Sequence, residues 1–197
     1  MKKTVLRLWS LILAMLLLCG CSAADTPNGT NAPEPELGNG FPGLGGTMPE
    51  MTFDMGDGET VTLSRLLEEK ELVVLNFWFE DCPWCVKEFP VIELVYQQYK
   101  QDVEIVALNP VDGTDAVKKF KTDHSLSFPM VSCPRAWAVE AGISGYPTSV
   151  FIDRDGVICL IQPGAITSQA AWLELFDAFT GEDYHRKIYR SVQDVLL

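Results

Sequence analysis

The chain has 197 residues, 47% of them hydrophobic and 21% charged, a globular profile with room for one domain of ordinary size and further segments. Its formal net charge is −12, and residues 1–20 hold three of the 15 basic side chains and none of the 27 acidic ones. Without them the chain is more acidic still, which excludes nucleic acid as a partner because phosphates would be repelled.

Met1 to Arg7 is a basic stretch, and Leu8 to Leu18 is an apolar run too short to span a bilayer comfortably. Leu18-Cys19-Gly20-Cys21 resembles a bacterial lipobox with cleavage before Cys21. On that resemblance residues 1–20 are a lipoprotein signal peptide. Cys21 carries a diacylglyceryl group, and two or three lipid chains hold the protein stably on a membrane. An uncleaved anchor and ordinary cleavage are the other readings. Ser22 to Thr47 is rich in Gly, Pro, Asn and Ser and too poor in large apolar residues to fold alone. With Cys21 it makes segment 21–47, a lipidated cysteine followed by a flexible linker whose mean reach is roughly 25–30 Å.

A folded domain is expected over 48–180. Met51-Thr52-Phe53 and Thr60 to Leu63 flank a turn-rich spacer and predict an N-terminal β-hairpin. Ser64 is placed to cap a short helix, Arg65 to Lys70. Leu72 to Phe79 is an apolar, β-branched and aromatic run that suits a buried strand. A helix from Cys82 to about Lys100 follows, with Phe89, Ile92, Val95, Tyr96 and Tyr99 at helical spacing and a kink expected at Pro90. Val103 to Leu108 is the next strand, and Asp112-Gly113-Thr114-Asp115 opens a helix ending near His124. Phe128 to Ser132 is a short edge strand, and Arg135 to Ala141 is a helix closed by Gly142. Thr148 to Asp153 and Val157 to Ile161 form a hairpin around Arg154-Asp155-Gly156. Thr167 is placed to cap a helix carrying Ala171, Leu173, Leu175 and Phe176. The order predicts an α/β domain with a mixed central sheet flanked by helices. In 181–197, Tyr184, Ile188, Val192 and Leu196 recur every four residues. They predict a C-terminal amphipathic helix, packed on the domain or presented to a partner.

The chemistry sits in Asn76 to Pro90, where the strand passes through Cys82-Pro83-Trp84-Cys85 into the helix. Two cysteines at that spacing can close a small disulfide ring. The exposed N–H groups and dipole of a helix start favour a thiolate at Cys82, the attacking sulfur, with Cys85 one turn in as the resolving thiol. A structural zinc site wants four ligands, and the chain offers only scattered Cys133, Cys159, His124 and His185, so no metal is expected. A static structural disulfide is the other alternative, although so short a loop gains little by closure.

The strand ending Asn76-Phe77-Trp78, the Cys-x-x-Cys, Glu88 and Pro90 resemble the TlpA/ResA-like thioredoxins, extracytoplasmic thiol-disulfide oxidoreductases tethered to bacterial membranes. Gly145-Tyr146-Pro147-Thr148 and the following Ser149 to Gly156 resemble that family's cis-proline loop, strand and hairpin turn. The resemblance covers roughly residues 48 to 180 and implies a thioredoxin-like fold. It implies that Pro147 is the cis-proline facing the disulfide, exposing the backbone of Tyr146 to a substrate strand. A plain trans turn proline is the alternative. Tyr146, Trp84 and Pro83 are the candidate substrate-binding residues. Glu88 matches the family's acidic residue, where a carboxylate near both sulfurs raises thiol pKa values and can relay a proton. A solvated helix-face glutamate is the equal alternative, because its facing depends on helix phase. Trp78 is expected to pack under the active-site loop, and Glu80 is either surface or a second relay.

Two positions depart from the family. Asp81 replaces the usual Trp before the first cysteine and opposes thiolate formation at Cys82. Trp84 replaces the usual Pro before the second, with Pro83 one place earlier, a dipeptide more like that of glutaredoxins. These changes leave the direction of electron flow open. Cys133 and Cys159 are expected on opposite sheet edges, too far apart to bridge, and buried as small apolar residues. A redox or partner-linking role for Cys133 is the alternative.

The function expected is a membrane-tethered extracytoplasmic reductase of disulfides in exported proteins, working as a monomer. No cofactor is needed beyond the Cys82–Cys85 disulfide. Electrons would come from a membrane thiol-disulfide relay protein, and apocytochrome c and oxidised repair enzymes are candidate clients. A disulfide-forming oxidase of the same fold and a non-enzymatic binding lipoprotein are the rivals. The absence of Thr-x-x-Cys from the strand-to-helix turn disfavours a peroxidase.

Overall fold

The computed structural model describes residues 40–55 and 58–181. The signal peptide, Cys21, linker residues 22–39 and the predicted C-terminal helix lie outside the described residues.

The first elements are a two-stranded antiparallel hairpin, β1 (Thr52–Asp54) and β2 (Thr60–Thr62). Helix α1 (Leu63–Glu69) follows without a loop. Its cap is Thr62, whose hydroxyl accepts from the Arg65 N–H at 3.2 Å, and not Ser64. Thr62 still has extended backbone at the end of β2, whereas Ser64 already lies in the first turn, where its own N–H is taken by Glu50.

The main sheet has five strands in the order β5-β4-β3-β6-β7. They are β3 (Leu72–Phe77), β4 (Val103–Asn109), β5 (Met130–Ser132), β6 (Thr148–Asp153) and β7 (Ile158–Pro163). Strands β3, β4 and β5 run parallel, while β6 is antiparallel to both β3 and β7. The crossover helices are α2 (Pro83–Tyr99), α3 (Thr114–Asp123) and α4 (Arg135–Glu140), and α5 (Gln169–Phe179) closes the domain. This is a mixed α/β, thioredoxin-like fold with an N-terminal hairpin, as expected. The cap of α5 is Ser168, which accepts from the Ala171 N–H at 3.3 Å; Thr167 lies one residue too early.

Side-chain alternation divides the sheet into two cores. Leu72, Val74 and Trp78 face α2, α3 and α5, in a cluster with Phe89, Phe120, Phe128, Phe151, Trp172 and Phe176. Val73, Leu75 and Phe77 face the hairpin, α1 and α4, packing with Phe53, Leu63, Leu66 and Trp137. Asn76 shares the parity of Leu72 and Val74, so it points into the α2 side. The inward residues of α5 include Trp172, 0% exposed, which the apolar spacing of Ala171, Leu173 and Leu175 did not single out.

Part of the expected linker belongs to the folded body. Gly45 N–H donates to Ile158 O at 2.9 Å, Ile158 N–H to Gly46 O at 2.9 Å, and Met48 N–H to Gly156 O at 2.8 Å. Residues 45–48 therefore pair with Ile158 at the start of β7 and with the turn before it, covering the beginning of an edge that would otherwise present unpaired backbone groups. Gly46 fits because a Cβ there would lie 2.4 Å from Pro42 Cβ.

Candidate active site

Strand β3 ends at Phe77, opposite Thr148, the first residue of β6. The chain leaving β3 and the chain entering β6 are thus neighbours at one end of the sheet. The first carries Cys82 and Cys85; the second carries Tyr146 and Pro147.

Cys82 is the N-cap of α2, and Pro83 occupies its first turn, where the missing N–H is of no consequence. The Cys85 N–H donates to Cys82 Sγ at 3.2 Å. A sulfur thus does the work a serine or aspartate oxygen does in an ordinary cap. In the reduced protein the same N–H and the helix dipole favour the thiolate. Here the two sulfurs are joined as a disulfide, with Cα atoms 5.3 Å apart. The pair is recessed, Cys82 3% and Cys85 0% exposed, and is flanked by exposed Asp81, Pro83 and Trp84. Trp84 is 58% exposed, with the Lys87 ammonium 4.9 Å from its ring centroid.

The loop before Cys82 is fastened from the side. Asp112 Oδ2 accepts from the Glu80 N–H at 2.7 Å and from Asn109 Nδ2 at 2.9 Å. The Glu80 side chain is exposed, as a surface residue. Trp78 lies beneath, fully buried, with its ring centroid 5.1 Å from that of Phe89 and 4.7 Å from that of Phe120.

The Tyr146–Pro147 bond is cis, and Pro147 is buried. Gly164 N–H donates to Pro147 O at 2.8 Å. Half-buried Tyr146 meets Phe79 edge-on at 5.3 Å, joining the segment that leads to Cys82 with the one that leads to Pro147.

Glu88 is 0% exposed, so the solvated helix-face alternative does not hold. One turn beyond Cys85, it points inward with that residue. Its Oε1 accepts from the Ile166 N–H at 2.7 Å and its Oε2 from Asn76 Nδ2 at 3.3 Å. Burial pushes its carboxyl up to about 7, against the opposing pull of the Ile166 and Asn76 hydrogen bonds. Asn76 Nδ2 also donates to Ser149 Oγ at 2.9 Å, across the β3–β6 pairing of these two residues. The Ile166 carbonyl accepts from the Trp172 indole N–H at 3.0 Å, which fixes the β7–α5 loop over the carboxylate.

Asn76 and Ser149 entered the sequence reading only as parts of family-like stretches, and neither they nor the Ile166 peptide were given a role at the site. A polar Asn inside the apolar run Leu72–Phe79 was the available signal for the first. Nothing local marked the other two, which come from strands and loops more than 70 positions away.

Cys133 and Cys159 are half-buried and unbridged. They follow or lie in the two opposite edge strands, β5 and β7. Burial pushes the Cys133 thiol up to about 12, which disfavours the thiolate that a redox role would use. Among the described residues no group of three or more His, Cys, Asp or Glu is placed to hold a metal ion. None of the described helices is long and apolar enough to cross a membrane.

Residues 44–161 match the model of the AhpC/TSA family. A thiol-disulfide oxidoreductase ResA from Halalkalibacterium halodurans is 37% identical over 115 residues, 57% of this chain and 64% of that protein, a little less than two thirds of its length. ResA from Bacillus thuringiensis subsp. konkukian is 30% identical over 160 residues, 80% of this chain and 87% of that one. Among solved structures, a thioredoxin-family thiol:disulfide interchange protein from Chlorobium tepidum superposes with a TM-score of 0.62. It covers 71% of this chain and 99% of that one; at 21% identity the likeness shows the fold.

Proposed function

From the premise that the chain belongs to the AhpC/TSA family, among the ResA-like thiol-disulfide oxidoreductases, we propose that it reduces disulfides of exported proteins on the outer side of a bacterial membrane. The observation that carries this is the Cys82–Cys85 disulfide at a helix N-terminus with a buried carboxyl one turn behind it.

The reaction balances as two exchanges. The Cys82 thiolate attacks one sulfur of a client disulfide; that bond breaks, and the other client sulfur leaves as a thiolate that takes up a proton. Cys85 then gives up its proton and attacks Cys82 Sγ. The second client sulfur departs and is protonated, and the Cys82–Cys85 bond forms. The client gains two electrons and the protein loses two. A membrane thiol-disulfide relay protein, oxidised in turn, would restore the dithiol. Glu88 in its ionised form is the base for the Cys85 proton. Its proton affinity near neutrality suits that task, because a good proton relay is matched to the working pH. The Tyr146 backbone, exposed Pro83 and exposed Trp84 supply the surface for an extended client segment. Phe79-Glu80-Asp81 stands where a peroxidatic turn would need its Thr, so reduction of protein disulfides fits better than reduction of peroxides.

The test is a redox titration of the whole protein against glutathione and dithiothreitol mixtures, followed by tryptophan fluorescence, since Trp84 lies between the two cysteines. A potential near the thioredoxin value of about −270 mV is expected. A value near about −120 mV would instead identify an oxidase.

The tether is part of the same proposal. The family resemblance and the Leu18–Cys21 pattern support a diacylglyceryl anchor on Cys21. Cys21→Ala is expected to move most of the protein from the membrane to the soluble extracytoplasmic fraction and to remove the lipid mass from the N-terminal peptide. An unmodified wild-type N-terminal peptide would refute lipidation.

A further inference from the structure

The side-chain amide of Asn76 is used at one end only. It is 0% exposed; its Nδ2 spends both hydrogens, on Glu88 Oε2 at 3.3 Å and Ser149 Oγ at 2.9 Å, while its Oδ1 is buried with no partner. A fully buried acceptor without a donor is rare and calls for a reason. The arrangement suits one protonation state of Glu88. Donors face both carboxylate oxygens, Ile166 N–H on Oε1 and Asn76 Nδ2 on Oε2, as an ionised carboxylate requires. A protonated Oε2 would set an O–H against an N–H.

We propose that Asn76 is a positioning residue for Glu88, its amide facing the carboxylate donor-first and rotating to offer Oδ1 when the carboxyl takes up a proton. In the rotated state Oδ1 accepts from Glu88 O–H and from Ser149 Oγ–H, the serine hydroxyl serving as acceptor in one state and donor in the other. One end of the amide is orphaned either way, so neither orientation is locked, and the protonation of Glu88 decides between them.

Among the described residues no charged side chain competes for this role. The groups bonded to Glu88 are Asn76 from β3, with Ser149 from β6 behind it, and the Ile166 N–H from the β7–α5 loop; on its own helix Cys85 is buried one turn before it. Among the described residues no charged group shifts it, and Lys87 is turned toward the Trp84 ring. Trp172 acts only through the Ile166 carbonyl.

The proposal rests on Glu88 as the proton acceptor of the dithiol, and the test separates the two. In the oxidised full-length protein, carboxyl carbon NMR reads the Glu88 midpoint, and side-chain amide NMR reads Asn76. Asn76→Ala is expected to raise the midpoint by about one pH unit, a tenfold gain in proton affinity, because one charge-assisted donor is lost. Ser149→Ala, which removes only the cross-strand partner, is expected to move it by less than a third as much. The Asn76 amide signals of the wild type are expected to titrate with the Glu88 midpoint, a readout that survives if Asn76→Ala fails to fold. An unshifted midpoint in folded Asn76→Ala, or wild-type amide signals that stay flat across it, would overturn the proposal. Separately, the pH profile of thiol–disulfide exchange in Glu88→Gln tests the underlying reading. A profile matching the wild type would remove Glu88 from proton transfer while leaving its coupling to Asn76 intact.

Discussion

Cys82→Ser is expected to abolish disulfide exchange, lowering the rate with an insulin-type or glutathione disulfide on the order of a thousandfold or more, because a serine hydroxyl at neutral pH cannot displace a sulfur. The substitution is informative because it spares the fold. Serine is a preferred N-cap, so the Cys85 N–H that now donates to Cys82 Sγ at 3.2 Å keeps an acceptor. Cys85→Ser is expected to behave differently. It retains the attacking sulfur and loses the resolving one, so it should accumulate a mixed disulfide with client protein, visible as a covalent adduct that dithiothreitol releases. Both variants give up the same short cross-link, about 2 kcal/mol by closure entropy, so the lost cross-link does not account for the difference in their chemistry. Residual turnover in Cys82→Ser, with adducts forming at Cys85, would reverse the assignment of the two sulfurs.

Glu88→Gln is expected to change the pH dependence of stability by about 3 kcal/mol in the oxidised protein, where neither active-site cysteine titrates. The sign follows from the direction of the shift. The Glu88 carboxyl is raised from 4.5 to about 7 by burial. The folded protein therefore holds a proton that the unfolded chain has lost between those values. The stabilisation linked to that proton is complete below about 4.5 and is lost as the pH rises through about 7. Glutamine carries no such proton. Its advantage over the wild type should grow from pH 4 to pH 8.5, by about 3 kcal/mol, in urea denaturation at fixed salt. Comparing the two chains cancels the other carboxylates, including half-buried Glu104, which is also raised. A stability difference independent of pH would mean that Glu88 titrates as an ordinary surface acid.

Much of this was legible before any coordinates. The element order and the mixed sheet followed from apolar runs and turn residues, and the central strand from Leu72 was foreseen with an end only two residues too late. Cys82 at the helix start was visible because a strand-like run gives way to helical spacing at that point. Helix caps were less legible. Thr62 and Ser64 are both good capping residues, and the choice between them depended on where β2 releases the chain. The same holds for Thr167 and Ser168. Residues 45–47 read as linker because they contain little apolar surface; what holds them is backbone hydrogen bonding to the start of β7, which side-chain composition does not record.

The divide runs along sequence distance. Periodicity, spacing and capping chemistry act within a turn or two of chain. They were enough to specify the strand, the helix and the sulfur pair between them, because Cys82 and Cys85 need only each other and the helix they begin. Glu88 could not be placed that way. Whether a helix-face glutamate meets water or the core depends on the phase of α2 against a sheet and on who stands across from it. Those partners, Asn76 on β3, Ser149 on β6 and the Ile166 amide beyond β7, converge only when three separate segments pack. A lone cysteine pair is a matter of local geometry; a buried proton site is a matter of desolvation, and desolvation exists only once distant parts of the chain have closed over the group.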